Sequence, residues 1–179
     1  MIRTFVLLIC FFSLQKEKSI ILWNENNKLS WHDFKGKPKP DSGAAAETAS
    51  GISFGFSIKK TNENVVSFST EVDTNFYPEE SWVNTDLANA YILGHEQLHF
   101  DITELFARKF RKEISELKVS NSIKVELKTL YKNNASELDK HQKRYDEETN
   151  HSENLEIQKQ WQRYIKLELK KLSKYKSIE

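Results

Sequence analysis

The sequence predicts an α+β domain in which a small antiparallel β-sheet is followed by three helices. Two observations support this prediction. Up to about residue 74, apolar residues alternate with polar ones, as in half-buried strands, and after about residue 84 they recur every three or four positions, as on a helix. Strands that precede a run of helices are typical of the α+β class, and 179 residues are enough for one such domain.

The strand signals lie in the first half of the chain. Residues 20–23 and 29–34 are apolar or aromatic and flank a polar turn, so we expect a strand in each. Residues 52–58 and 65–72 alternate with period two, and the polar segment 61–64 between them suits a hairpin turn. The pattern therefore predicts a small sheet with one buried face.

Three helices are predicted in the second half. The first begins near Asn84 or Thr85, either of which can cap its amino end, and it continues to about Leu117. The second covers residues 123–145 and the third covers residues 155–172.

The amino-terminal segment is typical of an export signal. Arg3 precedes an apolar run over residues 5–12, and a polar stretch follows. A bilayer core needs about twenty apolar residues, so this run is too short to span it, but its length suits a signal peptide. We therefore predict a leader at residues 1–19, a mature domain at 20–179 outside the cytoplasm and no stable membrane span after cleavage. The alternative is a buried amino-terminal strand.

Composition restricts the chemistry of any site. The net charge is +1, which gives no electrostatic indication of a nucleic-acid partner. Cys10, inside the predicted leader, is the single cysteine. A mature chain without it has neither disulfides nor a cysteine zinc site, so histidine, aspartate or glutamate must hold any metal.

The segment GHEQLHFDITE, residues 94–104, contains the clearest functional motif. On a helix His99 lies about 40° from His95 and one turn along, so both rings can bind one ion. Glu96 lies about 100° from His95, from where it can reach a water beside a metal. This HExxH spacing predicts Zn²⁺ bound by His95 and His99, with Glu96 as general base. The alternative is an ordinary pair of hydrogen-bonded histidines.

A catalytic zinc site needs a third protein ligand. Asp101 and Glu104 are excluded because they lie about 240° and 180° from His95 on the helix, so they are expected to serve as supporting or helix-surface groups, with Glu104 pairing with Arg108. The polar cluster YDEETNH at residues 145–151 falls where the second helix should end, and a turn there can return to the first helix. His151 is the predicted ligand, with Asp146 and Glu147 as alternatives and Glu113 and Glu116 as more remote ones.

Three further side chains have weaker signals. Tyr145 can serve as a phenol donor to a developing oxyanion or as a plain aromatic at a helix end. His32, on a predicted strand, and His141, on the exposed side of a predicted helix, are expected to be surface groups rather than ligands.

The motifs together resemble the DUF922 family, bacterial proteins described as predicted secreted zinc-dependent proteases. The resemblance covers most of the chain from about residue 23 to 165, and HEQLHFDI is its most specific part. It is carried by WHDFKG (31–36), AAAET (44–48), SW (81–82), HEQLHFDI (95–102) and YDEETNH (145–151), with Gln158 and Trp161. The resemblance implies a zincin-like fold whose first helix carries HExxH.

The resulting hypothesis is a secreted or periplasmic zinc metallopeptidase with a peptide or protein substrate. Its substrate would add as a strand to the exposed edge of the sheet. The competing hypothesis is a non-catalytic envelope binding module that keeps the fold for structure.

Overall fold

The computed structural model of the protein describes residues 19–39 and 42–177. Within them it confirms the α+β class, with a small antiparallel sheet before three helices. The elements are β1 (Ile21–Leu22), β2 (Ala46–Glu47), β3 (Ser50–Thr61), β4 (Asn64–Phe76), β5 (Trp82–Val83), α1 (Ala90–Glu116), α2 (Ile123–Thr149) and α3 (Leu155–Lys171), with 3₁₀ turns at Trp31–Asp33 and Ser173–Tyr175. The predicted leader, including Cys10, lies outside the described residues except for Ser19.

The main sheet is built on the predicted hairpin. β3 and β4 pair antiparallel, and β1 adds to the other edge of β4. The turn between them places Asn62 and Glu63 at φ values of 48° and 64°, the left-handed backbone that a tight hairpin turn requires. Alternating residues of both strands, such as Phe54 and Val72, face the helices, as period two predicts.

The predicted strand at residues 29–34 is wrong. Trp31–Asp33 forms a 3₁₀ turn instead. The Asp33 carboxylate accepts hydrogen bonds from the Ser30 backbone N–H at 2.7 Å and from the Ser30 hydroxyl at 2.9 Å. This local capping favours a turn over the extended backbone that the apolar alternation indicates.

The first helix begins later than predicted. Asn84 is not a cap, because its backbone N–H donates to Ala45 O at 2.8 Å and continues the pairing of β5 with β2. Asn89 caps α1, and its side-chain oxygen accepts from the backbone N–H groups of Tyr91 and Ile92, both at 2.9 Å.

α1 is the central element of the fold. It packs against β3 and β4 on one side and against α2 and α3 on the other. Its residues Ile102, Leu105 and Phe110 have no exposed surface. A helix buried on several sides holds its side chains in fixed directions, which is what a metal site requires.

A buried ion pair connects α1 to its neighbours. Arg108 Nε donates to Glu104 Oε1 at 2.7 Å, which confirms the predicted i, i+4 pair. Glu104 is fully buried, so of the two roles predicted for it, supporting group or helix-surface group, the helix-surface role is wrong. Thr74 Oγ1 donates to Glu104 Oε2 at 2.7 Å, and Arg108 Nη1 donates to Leu169 O at 2.6 Å. The pair thus ties β4, α1 and α3 together.

Within residues 19–39 and 42–177, no helix is both long enough and apolar enough to cross a bilayer.

Candidate metal centre

Three potential metal-binding atoms converge beside α1. His95 and His99 come from α1, one turn apart, and Asp146 comes from the last turn of α2. Asp146 Oδ1 lies 3.2 Å from His95 Nε2 and 3.0 Å from His99 Nε2, and the two Nε2 atoms are 3.1 Å apart. Among the described residues, this is the one group of three such side chains close enough to share an ion.

Asp146 reaches the site because α2 is longer than predicted. The helix continues to Thr149, and Asn150 ends it in the left-handed conformation with φ 48°. Asp146 is therefore part of a regular helix that packs on α1 rather than part of a loop. It is one of the alternatives that the sequence leaves open for the third ligand.

His151 does not join this group in the structure. It is exposed and follows the end of α2, where Asn150, His151 and Ser152 all have positive φ values of 48°, 49° and 77°. Its backbone N–H donates to Asp146 O at 2.9 Å, and the residue lines the same cleft as the three ligand candidates. The predicted ligand is thus at the rim of the site, whereas Asp146 is at its centre.

The outer nitrogens of both histidines are held by glutamine amides. His95 Nδ1 donates to Gln158 Oε1 at 3.2 Å, and His99 Nδ1 donates to Gln142 Oε1 at 2.7 Å. Each amide has its orientation fixed by its own NH₂ group. Gln158 donates to Tyr91 O at 3.2 Å, and Gln142 donates to His99 O at 2.9 Å. Each carbonyl oxygen must therefore face a ring N–H.

This arrangement fixes the tautomers and has an electrostatic consequence. With Nδ1 protonated, each neutral imidazole presents a lone pair at Nε2. Two lone pairs and the Asp146 carboxylate oxygen then meet at 3.0–3.2 Å with acceptors on all sides. Such a cluster is repulsive until a proton or a cation lies between its members.

The donor set fits zinc. In a tetrahedral site with bonds of about 2.0–2.1 Å, neighbouring ligand atoms are about 3.3 Å apart. The three observed separations are within a few tenths of an ångström of that value. Two imidazoles and a carboxylate with outer hydrogen bonds are also a ligand set that zinc enzymes use, and they leave the fourth position open.

The pKa shifts of His99 and Asp146 both favour a positive charge between the three ligand candidates. Burial lowers the pKa of His99, but the Asp146 hydrogen bond and the Glu96 and Asp146 charges outweigh burial and raise it overall. Burial raises the pKa of Asp146, but hydrogen bonds from His95 and His99 outweigh it and hold that pKa well below its usual range.

Tyr145 packs against the imidazole rings of both His95 and His99. Its ring stacks on His95 with centroids 4.5 Å apart and meets the edge of His99 at 4.9 Å. The side chain is fully buried, and burial strongly raises the pKa of its phenol. The residue is therefore a packing aromatic at the end of α2, and its hydroxyl faces His95 O at 3.5 Å rather than open solvent.

One oxygen of the Glu96 carboxylate, beside the three ligand candidates, has no hydrogen-bond donor among the described residues. Glu96 is 4% exposed and lines the cleft. The oxygen without a donor is Oε2, and it is buried. A buried carboxylate oxygen left in this way indicates a position for a water molecule or a substrate proton.

A cleft of about 950 Å³ leads to these residues. α1 and the end of α2 form one wall, and β2 with the small residues before it forms the other. The Asn84 backbone N–H donates to Ala45 O, so Ala45 is a hydrogen-bonded residue of the β2–β5 pair. In an antiparallel pair successive residues alternate between bonding to the partner strand and facing away from it. The N–H and C=O of Ala46, the next residue, therefore face away from β5. β2 therefore has a free backbone edge at Ala46, which lines the cleft.

The excluded acidic residues do lie elsewhere. Glu104 is in its ion pair, and the Asp101 carboxylate accepts from Trp23 Nε1 at 2.7 Å and from Gln97 Nε2 at 2.9 Å. The exclusion by helical angle is confirmed for both residues.

Neither remaining histidine joins the three ligand candidates. His32 is exposed, as predicted, although it lies in a 3₁₀ turn. His141 is half-buried between Phe106 and Trp161, so its prediction as a surface group is wrong. Burial lowers its pKa, because the aromatic side chains around it replace water.

Comparison with known families gives the identity of the chain. The profile of a bacterial protein family of unknown function, DUF922, matches residues 33–152, which is more than half of the sequence. The chain belongs to the DUF922 family. The region matched to DUF922 includes all three converging ligand candidates and ends before α3, the helix that carries Gln158. No curated protein and no solved structure gives a significant match to this DUF922 chain.

The glutamine contacts predict how the DUF922 site responds to mutation. If the three ligand candidates bind a divalent metal such as Zn²⁺, Gln142→Ala should weaken that binding by about 10–100-fold, the cost of losing the outer partner of a ligating histidine. Gln142→Glu keeps an acceptor for His99 Nδ1 and should retain most of the affinity. Competition with a fluorescent chelator measures both, with Lys143→Ala on the exposed side of α2 as control. Equal affinity in wild type and Gln142→Ala would contradict a positioning role.

Proposed function

We propose that this protein is a zinc-dependent metallopeptidase of zincin-like fold that acts outside the cytoplasm. The observation that carries the proposal is the convergence of three acceptor atoms within 3.0–3.2 Å of one another, from His95, His99 and Asp146. Hydrogen bonding to the glutamines leaves the two Nε2 atoms without protons of their own, and the lowered pKa of Asp146 keeps its carboxylate ionised, so a divalent cation satisfies all three atoms at once.

The side chains divide the chemistry of peptide hydrolysis between them. His95, His99 and Asp146 hold the ion, which when bound supplies Lewis acidity and makes water reactive near neutral pH. Glu96 Oε2 takes the proton of the attacking water and passes it to the leaving amine, because it is buried, lines the cleft and lacks a competing donor among the described residues. Tyr145 and the two glutamines keep the imidazoles in place.

The proposed substrate is an extended peptide bound along β2. The free N–H and C=O of Ala46 supply main-chain hydrogen bonds to an added strand. Thr48, two residues on, donates its hydroxyl to Glu96 O at 3.2 Å and so fixes β2 relative to α1. A peptide on this edge therefore lies beside the general base.

The test begins with metal content. The purified full chain is expected to contain one zinc ion and to hydrolyse unfolded casein. Removal of the metal with 1,10-phenanthroline should abolish hydrolysis, and added Zn²⁺ should restore it. Zinc binding without hydrolysis of casein or of a mixed peptide library would instead support the non-catalytic binding module. A folded chain that binds no zinc would refute the metal site itself.

A further inference from the structure

We propose that Glu47 forms a subsite of the cleft that binds a basic side chain, lysine or arginine, of an extended peptide. The inference rests on the proposed function in placing a peptide along β2. It adds a substrate preference and a residue that determines it.

The Glu47 carboxylate is fixed by a buried group. Trp82, which is 2% exposed, donates its indole N–H to Glu47 Oε2 at 2.9 Å. The two residues are opposite each other in the β2–β5 pair, so the backbone register holds this contact. Burial raises the pKa of Glu47, but the hydrogen bonds from Lys39 and Trp82 outweigh it, and the group is charged at neutral pH. Glu47 is thus a preorganised anion in the cleft wall.

A cation already occupies this carboxylate. Lys39 Nζ lies 2.8 Å from Glu47 Oε1 and 2.7 Å from Oε2. This contact shows that an alkylammonium group has room to bind both oxygens. The side chains of Lys39 and Glu47 are 61% and 45% exposed, and such exposed pairs contribute at most about 1 kcal/mol. A substrate cation held by additional contacts can therefore displace Lys39.

The strand geometry brings a peptide side chain to Glu47. A strand bonded to the free edge at Ala46 places its side chains about 4.5–5.5 Å from those of β2 residues directly opposite. The Ala46 side chain is packed into the core, so Glu47, its neighbour, projects to the other face of β2. Alternate residues of the peptide share that face, and one of them lies within reach of the Glu47 carboxylate.

The charge of the cleft favours the same ligands. Its acidic lining residues are Glu47, Glu96, Asp146 and Glu153, and no lysine or arginine is among the described residues that line it. A divalent ion offsets the charges of Glu96 and Asp146. Glu153, together with Glu47 once Lys39 is displaced from it, then leaves the cleft negative, although the chain as a whole has a net charge of +1. A negative cleft concentrates cationic ligands.

The test uses binding, so that it does not depend on turnover. The probes are fluorescent decapeptides built from serine, threonine and valine. Each peptide carries a single lysine, and the set places that lysine at every position in turn. A matched peptide for each position has norleucine in place of the lysine. All peptides are titrated against the zinc-loaded full chain carrying Glu96→Gln. In at least one register lysine should bind about fivefold more tightly than norleucine, the effect of an exposed charge pair. Adding Glu47→Gln should remove this preference, and adding Lys39→Ala should increase it.

The control and the remaining outcomes separate this inference from the proposed function. Glu71→Gln, on the exposed face of β4, changes the net charge equally and should keep the lysine preference. A preference that survives Glu47→Gln, or peptide binding without any preference, overturns the subsite and leaves the peptidase proposal intact. A Glu47-dependent preference without hydrolysis by the wild type overturns the peptidase alone. If no peptide binds, the subsite is overturned, and hydrolysis of casein by the wild type decides the peptidase proposal separately.

Discussion

Replacement of Glu96 by glutamine is expected to lower casein hydrolysis by about 10²–10⁴-fold, the range that a positioned general base contributes. The amide has nearly the same shape as the carboxylate but cannot take a proton from water. Glu96 is not one of the converging ligand candidates, so zinc content should remain at one ion per chain. Initial rates on labelled casein, together with metal analysis of the same samples, measure both quantities.

A matched control exists on the same helix. Glu113→Gln removes one carboxylate from an exposed position of α1 and should leave both hydrolysis and zinc content unchanged. Full activity in Glu96→Gln would reject Glu96 as the base. Loss of zinc together with activity would assign Glu96 to the ligands and overturn the roles proposed here for Glu96 and Asp146.

Much of the fold follows from local periodicity. The β3–β4 hairpin and the three helices have long repeating patterns, and all are found where period two or period 3.6 predicts them, apart from their ends. The two-residue strands β2 and β5 are too short to carry a period, and contacts between distant segments specify them. The 3₁₀ turn at Trp31–Asp33 depends on one carboxylate, which overrides an alternation that favours a strand.

The candidate site also has a part that local sequence patterns predict and a part that depends on tertiary packing. His95 and His99 lie four residues apart on one helix, so their convergence follows from helix geometry alone. The third group depends on where α2 ends, and element ends are set by capping and packing rather than by the repeat. A helix that continues to Thr149 instead of about Tyr145 places Asp146 on α2 and leaves His151 at the rim.

The HExxH spacing does not predict the two glutamine side chains, Gln142 and Gln158, that hold the histidines. Gln142 lies one turn before Asp146 on the same face of α2, which is a usable signal once Asp146 is known to face α1. Gln158 comes from α3, and its contact with His95 Nδ1 depends on the packing of two helices that no local pattern encodes.

The contrast between Asp146 and His151 decides the third ligand. Asp146→Ala should weaken zinc binding by more than about 100-fold, because it removes a charged ligand atom. Loss of a hydrogen-bond partner of a ligand, by comparison, costs at most about 100-fold. His151→Ala should change affinity little, since His151 is exposed and outside the converging group. Chelator competition measures both variants. The reverse result, with zinc lost in His151→Ala and kept in Asp146→Ala, would make the histidine the ligand.

Thermal unfolding gives an independent measure of the same contrast. Zinc that binds only the folded chain raises the free energy of unfolding by about 2.7 kcal/mol at a hundredfold excess over Kd. This gain should persist in His151→Ala and disappear in Asp146→Asn. Without metal, Asp146→Asn should already lower the free energy of unfolding at neutral pH, because the lowered pKa of Asp146 means that its ionised form stabilises the folded chain. The loss of the zinc-dependent gain, measured for each protein against its own metal-free form, therefore identifies the carboxylate as a ligand.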